Sequence, residues 1–79
     1  MATIGELAEN ILNWMKEEKN GKKITMESIA AKFKEYAPSS LSKAVKILIQ
    51  KFQIQVESVF RELKVERNLL NVEVKYYYI

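Results

Sequence analysis

The chain predicts an α+β fold, three helices followed by a C-terminal β-hairpin, and three observations carry that reading. Apolar residues recur at three- and four-residue spacing through most of the first fifty positions. A helix-start residue stands ahead of each such stretch: Thr3, Thr25 and the pair Ser39-Ser40. Beyond about Val59 the period falls to two, and the last residues, VEVKYYYI, have the valine and tyrosine content of a strand.

The first helix is expected from about Thr3 to Lys19. Thr3-Ile-Gly-Glu6 has the form of a capping box, and Ile4, Leu7, Ala8, Ile11, Leu12, Trp14 and Met15 follow at helical spacing. Gly21 is a good stop. Lys22-Lys23-Ile24 is either a connector or a very short strand. In ITMESIAAKF, Thr25 suits the N-cap of a second helix, Met26 to about Tyr36, with Met26, Ile29, Ala30 and Phe33 on one face. Pro38 forbids its continuation. A third helix is expected from Leu41 to about Phe52, with Leu41, Ala44, Val45, Leu48, Ile49 and Phe52 inward and Ser42, Lys43, Lys46, Gln50 and Gln53 outward. Two strands then follow, one around Val59–Glu66 and one at Asn71–Ile79, with a turn at Arg67-Asn68. Val56, Val59, Phe60 and Leu63 also fit helical spacing, so a third helix running on to about Leu63 stands beside the hairpin reading.

The totals set bounds. Seventy-nine residues make one domain, residues 1–79, with 48% apolar content. A chain of this size buries only about 60% of the surface its unfolded form exposes. It has neither cysteine nor histidine, which removes disulfides, thiolate metal sites and the commonest general base. Aspartate is absent too, and no phosphate-cradling glycine loop or metal-ligand spacing occurs, so neither an enzyme nor a metal or cofactor site is expected. No apolar run approaches the ~20 residues of a membrane span, and no signal peptide is evident, so a cytoplasmic protein is expected. The net charge of +3 is uneven: residues 1–21 carry −2, residues 22–51 carry +5, and residues 52–79 balance. A polyanion meets the middle third first.

Helices two and three, joined at Ala37-Pro38-Ser39, have the layout of a helix-turn-helix, where a small side chain such as Ala30 lets the two cross closely. Here the chain resembles the winged-helix family. ITMESIAAKF is similar to its short strand and positioning helix, SSLSKAVKILIQKF to its recognition helix, and VEVKYYYI to its last wing strand. One departure is the lack of a glycine in Lys51-Phe52-Gln53-Ile54, where the family commonly has one. The resemblance implies binding of double-stranded DNA by the third helix in the major groove, and a role in transcription regulation.

Under that reading Ser40, Ser42, Lys43, Lys46 and Gln50 offer hydrogen bonds to phosphates and base edges. Lys22, Lys23, Lys32 and Lys34 flank them, and Arg61, Lys64 and Arg67 fall near the hairpin tip, where a wing meets an adjacent minor groove. The apolar residues of helix one spread over nearly half its circumference, wider than the ~100° stripe a small core needs. Either the helix is buried beneath its neighbours, or Leu7, Ile11 and Trp14 form the interface of a homodimer. The alternative function is a protein-interaction module on the same scaffold, without DNA binding.

Overall fold

The computed structural model describes residues 3–79 and is α+β. In chain order it has α1 (Ile4–Glu18), α2 (Met26–Lys32), α3 (Pro38–Gln50), β1 (Gln55–Val65) and β2 (Asn68–Tyr78). No helix among the described residues is long and apolar enough to cross a membrane.

Each helix begins where its local chemistry allows. The Thr3 hydroxyl accepts from the Glu6 amide at 3.1 Å, and the Thr25 hydroxyl from the Ser28 amide at 3.4 Å, so both threonines satisfy a donor that the first turn leaves orphaned. α3 begins earlier than its serines suggest. Pro38 takes the first helical position, where its missing N–H costs nothing, and Ala37 is the cap without a side-chain bond. Ser39 and Ser40 therefore lie inside the first turn of α3 rather than ahead of it. α2 is also shorter than its periodicity suggests, ending at Lys32, and the Phe33–Ala37 segment makes the turn.

The core is built from α1 and α3, which pack along their lengths, with Ile29, Ile24, Ile54 and Tyr77 closing its margins. Ala44 is fully buried and is the small residue at the middle of the inner face of α3, while Ala30 is only half-buried and Ala31 is exposed. Leu7, Ile11 and Trp14, which the breadth of the apolar stripe offers to a second copy, are core residues here: Leu7 and Ile11 are 1% and 0% exposed. Trp14 meets Phe33 edge-on at 5.7 Å between ring centroids, and the Lys19 ammonium lies over the Trp14 ring at 5.8 Å. The wide stripe is that of a helix covered on several sides by its own chain, with Leu7 and Ile11 inside and Trp14 at the margin, 9% exposed.

α3 does not run on into the hairpin. The Phe52 amide donates to the Ile49 carbonyl and the Gln53 amide to the Leu48 carbonyl, both at 3.0 Å, the paired bonds of a Schellman stop. That stop needs a left-handed residue just past the cap, and Phe52 supplies it at φ 57°, where glycine is the usual occupant. Its ring is 95% exposed, so the strain is not offset by burial. Phe52→Gly is expected to raise stability by about 1 kcal/mol, a gain of roughly 4–8 °C in Tm on thermal melting. An unchanged or lowered Tm would mean that the ring is held by something in the fold.

β1 and β2 pair antiparallel from Gln55↔Tyr78 to Val65↔Asn68 around a two-residue turn, Glu66-Arg67, one position earlier than Arg67-Asn68. Glu66 takes the left-handed conformation there, at φ 57°. A third strand is reduced to one bridge. Ile24 exchanges both backbone bonds with Tyr77, at 2.9 and 2.7 Å, and so ties the base of the hairpin to the chain entering α2. Beyond that base both strands stand clear of the helices, and the molecule measures 47 × 26 × 22 Å.

Candidate nucleic-acid interface

The helical repeat of α3 places Leu41, Ala44, Val45 and Leu48 against the core. It thereby turns Ser42, Lys43, Lys46 and Gln50 to solvent, and all four are exposed, with Ser39 beside them. Ser42, Lys46 and Gln50 form one row at four-residue spacing, and Lys43 lies alongside it. Ser40 and Ile47 are half-buried at one border of this face. α3 contains no acidic residue. Among the described residues the ion pairs are Lys23 with Glu57 and Lys75 with Glu73, so Lys43 and Lys46 enter none. A thirteen-residue helix is about 20 Å long, and its positive face is unopposed along that length.

The fold adds a residue to this face that sequence reasoning missed. A groove of about 230 Å³ runs between α3 and β2, lined by Ser42, Lys46, Ile49, Met26, Tyr77 and Lys75. The alternation of β2 sets Lys75 on the side of the strand that Tyr77 buries. The Ile24–Tyr77 bridge holds that side near α3, and although Ile24 reads as a possible short strand, no local signal names Tyr77 as its partner. Lys75 is 3.9 Å from Glu73, itself an acceptor for the Ser58 hydroxyl at 2.9 Å, so its charge is partly shared.

The flanking cations do not gather in the same way. Lys23 is held by the Glu57 carboxylate and lies over the Tyr78 ring at 5.5 Å. The hydrogen bond to Glu57 and its charge raise the Lys23 pKa above the ordinary lysine value. The charge of Lys23 is thus already matched. Lys32 lines a shallow groove beside Glu17 and Glu18 of α1. Lys22 and Lys34 are exposed in the segments flanking α2. Arg61 is not near the hairpin tip: it pairs opposite Val72, midway along β1, and its guanidinium donates to the Tyr76 hydroxyl at 2.8 Å. Lys64 lies on the opposite face of the hairpin from Arg61, and Arg67 is in the turn itself. From Tyr77 to Arg67 the strand spans about 33 Å, close to one turn of B-form duplex.

Comparison with family models, with curated proteins and with solved structures gives no match.

Proposed function

We propose that this chain is a winged-helix protein that binds double-stranded DNA with α3 in the major groove, and that it acts as a cytoplasmic transcription regulator. The observation that carries the proposal is the outward face of α3, where Lys43 and Lys46 stand exposed among Ser42 and Gln50 with no carboxylate paired to them. Lysines of this kind hold phosphates or guanine edges, and serine and glutamine supply neutral hydrogen bonds to bases. The order helix, bridge strand, helix, helix, hairpin supports the winged-helix assignment.

The test is binding to random-sequence duplex at two salt concentrations. With four to five lysines engaged (Lys43, Lys46, Lys22, Lys34 and the partly shared Lys75), log affinity falls with log salt at a slope of roughly −3.5 to −4.5. The rival reading, a protein-docking module, has one observation in its favour: the hairpin leaves large apolar side chains in solvent. That reading predicts no binding to duplex even at low salt.

A further inference from the structure

The outward row of α3 has two flanks, and they are built differently. On one, Ser40 and Ile47 pass from solvent toward the core. On the other, β2 stands beside the helix and leaves the groove that Ser42, Lys46, Lys75 and Tyr77 line. Two ammonium groups and a hydroxyl stand at its rim, over apolar side chains that include Met26, Val45 and Ile49. No lining residue is acidic; Glu73 reaches Lys75 at 3.9 Å from outside the groove.

Tyr77 gives this groove a further donor. The residue is only 8% exposed, yet its hydroxyl enters none of the side-chain hydrogen bonds among the described residues. No buried side-chain oxygen there lacks a partner, so this hydroxyl is one that reaches solvent. The core and the Ile24 bridge hold Tyr77 in place, whereas Lys46 and Lys75 are exposed on flexible stems.

We propose that the groove seats one sugar–phosphate unit of the DNA backbone, with Tyr77 donating to the phosphate beside Lys46, Lys75 and Ser42. The inference rests on the duplex reading and says where one strand runs. A helix with its side chains is about 10–12 Å across and the major groove about 12 Å wide, so a helix seated there has a backbone against each flank. On the flank that faces β2, that backbone enters the groove. There the two lysines neutralise the phosphate, the Ser42 and Tyr77 hydroxyls donate to its oxygens, and the deoxyribose lies on Met26 and Ile49. The phosphate draws Lys75 away from Glu73, a contact too long at 3.9 Å to be a hydrogen bond. The lysines supply attraction, and the fixed phenol sets how deep α3 sits. Tyr77 reads no base.

Fluorescence anisotropy on a random-sequence duplex over a salt series tests the seat. Tyr77→Phe keeps the ring and weakens binding by about tenfold with the salt slope unchanged, because a neutral hydroxyl releases no counterion. Lys75→Gln weakens binding and also lowers the slope by about 0.9. Glu73→Gln frees Lys75 and tightens binding, and the gain vanishes when position 75 is already glutamine. Tyr76→Phe, on the opposite hairpin face, leaves binding as it is. If wild type binds duplex and either Tyr77→Phe or Lys75→Gln binds equally well, the seat is overturned and the α3 reading stands. A Glu73→Gln gain that persists in full without Lys75 overturns the seat in the same way. A wild-type chain that does not bind duplex at low salt overturns the reading and the seat together. Should Tyr77→Phe melt below wild type, the cycle of Glu73 and Lys75, both exposed, decides by itself.

Discussion

Changing Lys43 and Lys46 together to glutamate is expected to abolish duplex binding while leaving the circular dichroism spectrum and Tm as they are. Both side chains are exposed and unpaired, so their replacement costs the fold within about 0.5 kcal/mol each. Binding loses two charge-assisted contacts of about 1.5 kcal/mol or more, which is on the order of 100-fold in affinity, and gains repulsion from two carboxylates. The salt slope should shrink by about two units at the same time. The measurement is fluorescence anisotropy on a random duplex across a salt series. The control is Lys23→Glu, expected to change affinity far less because that lysine is already matched by Glu57. If the double variant bound as tightly as wild type, α3 would not be the element that meets DNA.

Leu48→Ala is expected to cost about 3–5 kcal/mol and to lower Tm by roughly 12–40 °C. Leu48 is 2% exposed, on the face of α3 that packs on α1, so truncation both removes buried apolar surface and leaves a void. A domain this small starts near the low end of ordinary stability, and such a loss takes most of it. Duplex binding should then weaken on warming along with the helical signal at 222 nm. Leu63→Ala, a truncation of the same size on the hairpin, should change monomer stability by no more than about 0.5 kcal/mol. Equal losses at the two sites would contradict the division between a packed base and a free-standing hairpin.

The helices were legible because each of their signals is local. Thr3 and Thr25 cap where their spacing to the first apolar residues says they should. Leu41, Ala44, Val45 and Leu48 sort to the inside of α3, and Ser42, Lys43, Lys46 and Gln50 to the outside, by periodicity alone. The end of α3 was not legible. A Schellman stop is ordinarily announced by glycine, and Phe52 adopts its left-handed conformation unannounced. The hairpin turn was misplaced by one residue for the same reason. Asn68 is the residue a tight turn favours, yet Glu66 takes the positive φ.

The faces of β2 mark the boundary most clearly. The register puts Val72, Val74, Tyr76 and Tyr78 on one face of β2 and Glu73, Lys75 and Tyr77 on the other, and hydrophobicity alone favours the first set for the core. The fold buries Tyr77 instead, leaves Val74, Tyr76 and Tyr78 half-buried, and puts Val72 in solvent.

By itself the sequence determined the helical periods, the caps and the excess of lysine in the middle third, all properties of residues a few positions apart. Only the tertiary structure decided that Lys75 joins the α3 face, that Trp14 belongs to the core, and that Glu57 claims Lys23. Each of those depends on contacts between distant segments, above all the Ile24–Tyr77 bridge, and a pattern of neighbours along a chain holds no record of which distant surface will meet it.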